Sequence, residues 1–301
     1  MDLGQLEVLR ALADHGSVTE AAYATGRTPS AVSQQLKALQ RSVGTTLVER
    51  FGRGVRLTDA GQALAAASLR VGVALAELDA EWADWQQAER GSVRLATFHS
   101  AGELLLPGLL RRLGRLSDLS MELVDHDVST GDFAAATAHC DIVIAHRGDD
   151  SIPAGRASVA VHPLFTEPVD VALSSDHPLA GRSGVRAAEV IGERWIGVPE
   201  GFPLDRILVG LSVLAGRPAE VVHRSVSFPL AERLVAAGHG VALLPRYATA
   251  LHRVPGLVLV PVTDVRLRRH VEALVHPERA VRRAVRAVLA ELTATAADIA
   301  Q

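Results

Sequence analysis

The stretch from Thr28 to Thr58, TPSAVSQQLKALQRSVGTTLVERFGRGVRLT, constrains this chain more than any other. Its first half predicts a helix with two separate faces. Thr28 can cap the free N–H groups of the first turn, and Pro29 suits the first helical position because its missing donor has no partner there anyway. Val32, Leu36, Leu39 and Val43 recur at helical spacing and mark the buried side. Ser30, Ser33, Gln34, Lys37 and Arg41 form a second stripe of hydrogen-bonding and cationic groups, and Gly44 supplies a left-handed stop. From Leu47 onward, Arg50, Arg53 and Arg56 surround a Gly52/Gly54 turn, which predicts a two-stranded wing. Between Arg27 and Arg56 six basic residues face one acid, Glu49, a local charge of +5 in a chain whose total is −3. An ordinary amphipathic helix shares the face pattern. It does not explain why short polar side chains, a basic stripe and an arginine-bearing turn occur together, whereas nucleic-acid binding does.

The residues before this stretch agree. Leu3, Leu6, Leu9 and Leu12 mark one face of a first helix that ends near Gly16. Ser17 and Glu20 form an S-x-x-E capping box opening a short helix that stops at Gly26. Two short helices joined by a tight turn, the second with a polar face, have the form of a helix-turn-helix, whose second helix enters the major groove. Ser33, Gln34 and Lys37 are the candidates for base edges or nearby phosphates, because the major groove presents a distinguishable donor and acceptor pattern. Arg53 and Arg56 would grip phosphate or minor groove from the wing, and Arg27, Thr28, Ser30 and Arg41 complete the candidate DNA-contacting set. For each, an ordinary solvated side chain is the plain alternative.

Residues 3 to 62 resemble the N-terminal domain of LysR-type transcriptional regulators. The resemblance rests on AAYATGRTPSAVSQQLKALQRSVGTTLVER and RGVRLTDAG, both in register with the family pattern. Gln40 stands where the family usually has Glu, and Leu47-Val48 replaces the common Leu-Phe; both look like packing positions. Thr58 and Asp59 open a long helix reaching about Gln87, with apolar positions Leu64, Val71, Leu75, Leu78, Trp82 and Trp85 and Ser68 in the remaining slot of a heptad seam. Apart from Arg70, its charges from Asp59 to Glu89 are all acids, so it is unsuited to lie on DNA. Its seam needs an apolar partner, either its own domain or a second copy. Self-pairing is favoured, and the resemblance implies the same, since the family's linker helix is its dimer contact and its dimers often form tetramers. Pairing places two reading helices on one duplex and implies a target with two related half-sites.

From Gly91 the pattern changes to short β runs alternating with helical stretches. Strands are expected at 93–98, 121–124, 141–145, 169–173, 195–198, 221–226, 241–244, 257–260 and 271–275, and helices at 104–116, 133–138, 206–215, 230–237 and from 278 to the end. That alternation predicts α/β architecture with largely parallel sheets. SVRLATFHSAGELLLPGLL, VDVALSSDHPLAG and VAAGHGVALLP resemble, in order and spacing, the effector-binding half of the same family. The resemblance implies a winged helix-turn-helix domain over 1–58, a linker helix over 59–89, and an α/β effector domain over 90–301. The last would resemble a periplasmic solute receptor, with subdomains 91–163 plus 265–301, and 164–264, around a cleft.

In open α/β sheets ligands collect beyond strand carboxyl ends beside helix N-termini, where unpaired N–H groups favour an anion. His99 and Ser100 occupy the first such point, and the resemblance strengthens Ser100, which could equally be a plain helix cap. His146 and Arg147 occupy the second. Arg147 can take a carboxylate bidentately, though Asp149 and Asp150 are ordinary partners for it. Gly201 and Phe202, with Ser227 and Phe228, would face them from the other subdomain. The expected ligand is a small anionic metabolite.

Other classes find little support. Thirty of the 31 basic residues are Arg, with Lys37 the only Lys, so a lone Arg says little and clustering says more. Cys140 is the single cysteine, which excludes an internal disulfide and a multi-thiolate metal site; before an apolar run it reads as a buried structural residue rather than a redox sensor. The twelve His are scattered and form no H-E-x-x-H, and no G-x-S-x-G, P-loop or dinucleotide fingerprint occurs. No enzyme, metal or cofactor is therefore expected. No secretion signal or membrane-spanning run is apparent, so a cytoplasmic location is expected. The favoured function is a homo-oligomeric, ligand-responsive transcription factor on double-stranded promoter DNA. The alternatives are a constitutive DNA-binding protein without effector response, and a cytosolic solute-binding or catalytic α/β protein with an incidental N-terminal module.

Overall fold

The computed structural model describes residues 1–52, 54–85, 91–115, 119–125, 133–149 and 159–299. Three helices, α1 (Leu3–His15), α2 (Val18–Ala24) and α3 (Pro29–Val43), are followed by strands β1 (Val48–Phe51) and β2 (Gly54–Leu57) and the long helix α4 (Asp59–Trp85). Each boundary has a local cause. Thr28 accepts a hydrogen bond from the Ala31 N–H with Pro29 in the first turn, and α3 ends at Gly44, whose φ of 71° is left-handed. Ser17 caps α2 through the Glu20 N–H, the Ser half of the expected box. Leu6, Val8, Leu9, Leu12, Val32, Leu36, Leu39 and Leu47 form the core of this unit. Leu3, expected on the buried face, is 53% exposed because it begins α1 beyond that core, and Val8 is buried instead. The wing pairs antiparallel from Val48 with Leu57 to Phe51 with Gly54. Gln40 is more than a packing residue: its Oε1 accepts the Leu47 and Val48 N–H groups at 2.8 and 3.1 Å, tying α3 to the wing, a role a Glu carboxylate could also fill.

The C-terminal part runs β3 (Gly91–Thr97), α5 (His99–Leu113), β4 (Leu119–Asp125), α6 (Phe133–Ala136), β5 (Ile142–Arg147) and β6 (Ala160–Ser174). It continues through α7 (Ala187–Val190), β7 (Arg194–Gly197), α8 (Pro203–Ala215), β8 (Glu220–Arg224), α9 (Phe228–Ala236), β9 (Ala242–Pro245), α10 (Arg246–His252) and β10 (Leu257–Val260). It closes with β11 (Arg268–Val275), α11 (Pro277–Ala280) and α12 (Arg283–Ile299). The main sheet has the order β10-β6-β11-β5-β3-β4, with β9 also on β6, and β7 and β8 pair separately.

The sheets are less parallel than expected. β3 pairs parallel with β4 and β5, and β7 with β8, but β6 and β11 pair antiparallel with all their neighbours. β6 is also three times the expected strand. It runs through Pro163 and Pro168, which lack ladder donors and read as breaks; Pro163 sits at a register shift between Val271 and Glu272, and Pro168 lies opposite Arg268 at the start of β11. That one strand serves two cores. One packs Leu95, Leu105, Leu109, Ile142, Ile144, Val288 and Leu292; the other packs Val171, Leu173, Trp195, Leu204, Leu208 and Leu243.

Helix α1 meets the segment around α11. Arg10 of α1 meets Glu278 of α11 at 2.8 Å, and Asp14 meets His276 at 3.7 Å. Gly72 of α4 lies beneath them, where a Cβ would strike the Glu278 carboxylate and approach the Arg10 guanidinium. The ring of His15 stands edge-on to that of His139 at 4.9 Å.

Candidate nucleic-acid interface and effector cleft

α3 exposes Gln34, Lys37 and Arg41, while Val32, Leu36 and Leu39 hold its other face in the core. Four other predicted contacts, Arg27, Thr28, Ser30 and Ser33, already have local partners. Thr28 Oγ1 is the helix cap and lies 3.0 Å from Ser30 Oγ, and Ser33 Oγ donates to the Pro29 carbonyl at 2.9 Å. Arg27 donates to the Thr25 carbonyl and pairs with Glu7 at 2.9 Å, so it braces α2 against α1. On the wing, Arg56 pairs with Glu49 at 2.6 Å and lies over the Phe51 ring, both exposed. Arg53 lies outside the described residues. On α4, Leu64 packs against the N-terminal core and Ser68 is buried. Val71, Leu75, Leu78 and Trp82 form an exposed apolar row, and the side chain of Trp85 lies outside the described residues.

The second site is a cavity of about 360 Å³ between the two cores of the C-terminal part, a size suited to a small ligand. His99, Ser100, His146, Phe202, Ser227 and Phe228 all line it. Two predicted members do not. Gly201 donates its N–H to Asp205 at 3.1 Å and stands behind Phe202. Arg147, on the edge of β5, donates to Glu272 of the neighbouring β11 at 2.9 Å. Of its two expected aspartate partners, Asp150 lies outside the described residues and Asp149 is engaged elsewhere, meeting Arg268 and His270 at 2.8 and 2.6 Å; against the effect of burial, these hold its carboxyl below its usual range.

Ser100 is not the cap of α5. Phe98 holds that position without a side-chain hydrogen bond, and Phe202 does so for α8. Ser227 caps α9 through the Leu230 N–H. Three helix N-termini thus converge on the cavity, and their dipoles favour negative charge there. Ser100 Oγ instead accepts from Arg269 Nη2 at 3.1 Å. Arg269 is 1% exposed and its charge is balanced by Glu167, which is 0% exposed, through Nε at 2.8 Å and Nη2 at 2.6 Å. The other Glu167 oxygen accepts the Tyr247 and Ala248 N–H groups at the start of α10. Arg269 Nη1 has no hydrogen-bond partner among the described residues, and the guanidinium lies 5.3 Å from the Phe98 ring centre and 6.0 Å from that of Phe228. Behind it, His146 Nδ1 is buried with no hydrogen-bond partner among the described residues. Burial, with the Arg269 charge adding to it, pushes that imidazole down to about 3, so His146 is neutral.

Sequence reasoning overlooked Arg269, Glu167 and Glu103. One signal was available. Alternation in β11 puts Arg269 on the face of Val271, Ala273 and Val275, and a cation on a buried face implies a buried anion. Nothing local identified Glu167 as that anion. Among the described residues, no group of three His, Cys, Asp or Glu side chains is arranged to hold a metal ion, and no helix is long and apolar enough to cross a membrane.

With this architecture established, residues 3–62 match the bacterial regulatory helix-turn-helix family of lysR type, and residues 86–297 match the LysR substrate binding domain. The chain belongs to the LysR family. A LysR chain is a DNA-binding transcriptional regulator with an effector-binding domain, and not an enzyme. This one is 29% identical over 283 residues to the DNA-binding transcriptional dual regulator OxyR of Escherichia coli strain K12, covering 92% of this chain and 90% of that protein. Among solved structures it resembles a full-length OxyR variant from Pseudomonas aeruginosa, with a TM-score of 0.64 and 22% identity over 98% of this chain and 94% of that one. Full-length CbnR in complex with its target DNA gives a TM-score of 0.51 at 20% identity, over 98% of this chain and 100% of that one. These two structural likenesses concern the LysR fold.

Proposed function

We propose that two copies of this LysR chain pair through α4 and read two half-sites with α3, while a small molecule with an anionic head in the cleft biases how the paired heads sit on DNA. In this division of labour residues 1–58 read, 59–89 pair and 90–301 sense, the last split as 91–163 with 265–301, and 164–264. A second round of pairing would give a tetramer, and the site of action is the cytoplasm, where promoter DNA lies. The observation that carries the effector reading is the cavity itself, where three helix N-termini meet and a buried guanidinium holds Ser100. The DNA reading is supported by the outward row of Gln34, Lys37 and Arg41, and CbnR, of similar fold, has been seen on its target DNA. An effector shifts an assembly only if it binds one geometry better than another. The Arg10–Glu278 contact offers a physical link, because it joins the reading head to the sensing half.

The names of several relatives suggest hydrogen peroxide as the signal. Thiol-based sensing needs an accessible thiolate. Cys140, the only cysteine, is 3% exposed, lies in the packing around Phe133 and Val143, and has its thiol pushed up by burial. These properties weigh against that signal and for a bound molecule. Footprinting of the chain's own upstream region, with and without a panel of organic acids and amino acids, and with peroxide, tests the proposal. A footprint that a bound compound alters and peroxide does not is expected. A footprint indifferent to every compound would favour a constitutive binder.

A further inference from the structure

The cleft holds more formal charge than an anion needs, and of the opposite sign. The Arg269 cation is balanced by Glu167 within the fold. Glu103 lies one turn beyond Ser100 on α5 and also lines the cavity. Among the described residues its only ionic partners are histidines: His99 Nε2 at 3.3 Å and His252 Nε2 at 3.3 Å. His252 is in turn held by Glu232, 0% exposed, at 2.7 Å from Nδ1. Burial opposes charge on His252, but hydrogen bonding and charge from Glu232 and then Glu103 outweigh it and raise the imidazole above its ordinary value. Both ring nitrogens of His252 face carboxylate oxygens, an arrangement that suits the imidazolium, and two carboxylates around that one cation leave this cluster, apart from the exposed His99, a negative charge in excess. With His146 neutral and Arg269 balanced, the described residues of the lining include no further Lys or Arg to offset it.

Resting on the cleft reading above, we propose that the effector is a zwitterion, an α-amino acid with an apolar side chain. Its carboxylate would sit at the start of α5 beside Ser100 and Arg269, and its ammonium on Glu103. Residues three apart on a helix are neighbours about 5–6 Å apart at Cβ, matching two charges separated by a single carbon. Phe98, Phe202, Val226, Phe228 and Leu204 supply the apolar wall that the side chain would fill. A simple carboxylic acid would satisfy one end and bring a second negative charge towards Glu103.

Calorimetry on the full-length chain tests this with three probes sharing one side chain: L-phenylalanine, 3-phenylpropanoate lacking the ammonium, and 2-phenylethylamine lacking the carboxylate, with L-leucine as a second apolar amino acid. At least one of the two amino acids is expected to bind tenfold tighter than either phenyl analogue. Glu103→Gln should remove most of that advantage, while 3-phenylpropanoate, relieved of a like charge, binds the variant at least as tightly as wild type. Failure of both amino acids to bind, or 3-phenylpropanoate binding wild-type protein as tightly as the better one, overturns the zwitterion. The wild-type comparison does not depend on the variant folding. If organic acids alone bind, the class of ligand is wrong and the cleft reading stands. If neither amino acids nor a panel of organic acids bind or alter the footprint, the cleft reading falls too.

Discussion

The buried Arg269–Glu167 pair joins the cleft to both cores, and its removal has a calculable consequence. Glu167→Gln keeps the side-chain shape but withdraws the charge opposing a guanidinium that is 1% exposed. Arginine cannot respond by losing its proton. The new amide N–H₂ would also face either Arg269 or the Tyr247 and Ala248 N–H groups, all donors, at distances now between 2.6 and 2.9 Å. Breaking one side of a buried pair costs about 3–5 kcal/mol. For a folding unit of about 200 residues each kcal/mol moves Tm by about 2–4 °C, so the transition of the C-terminal half should fall by about 6–20 °C. Differential scanning calorimetry of the full chain reads this directly. The double variant Arg269→Met/Glu167→Met removes both charges and should recover much of the loss. Recovery should be incomplete, because the α10 N–H groups lose their acceptor. A Glu167→Gln transition within 2 °C of wild type, taking that as roughly the shift of a single kcal/mol, would refute the argument, as would a double variant less stable than the single one.

Three further outcomes follow from the same geometry. His146 is held neutral down to about 3 against an ordinary value of 6.5, so below pH 6.5 the unfolded chain binds a proton that the folded chain refuses. Its contribution is whole above pH 6.5 and lost as pH falls, by about 2 kcal/mol at pH 5; the stability gap between wild type and His146→Leu, followed by urea unfolding, should shift by that amount in the variant's favour between pH 7 and pH 5. Lys37→Ala should weaken binding to all duplexes about equally and lower the slope of log affinity against log salt by about 1, whereas an unchanged slope would remove Lys37 from the phosphates. Leu78, 60% exposed, can become Glu at a cost to the single chain within about 0.5 kcal/mol. Light scattering should then show monomers if α4 is the pairing seam.

The N-terminal head was almost wholly legible in the linear chain. Caps, Pro at a first turn, Gly at a left-handed stop and an apolar face all rest on residues three or four apart, and Thr28, Pro29, Gly44, Val32, Leu36 and Leu39 behave as their neighbours demand. Where local reading slipped, as at Leu3 or in the length of β6, the missing information was what lay opposite. The same limit governs the cleft. Strand ends and helix starts placed His99, Ser100, His146, Phe202, Ser227 and Phe228 around it, because those positions follow from the alternation of elements. Which charges meet was set by partners far along the chain. Arg147 faces Glu272 across a β pair, Arg269 faces Glu167 and Ser100, and His252 bridges Glu232 and Glu103. Backbone preferences act over one turn, and an isolated residue name records them. Electrostatic balance in a buried site belongs to whichever side chains folding brings within a few ångströms, and no pattern of neighbours in the chain encodes that.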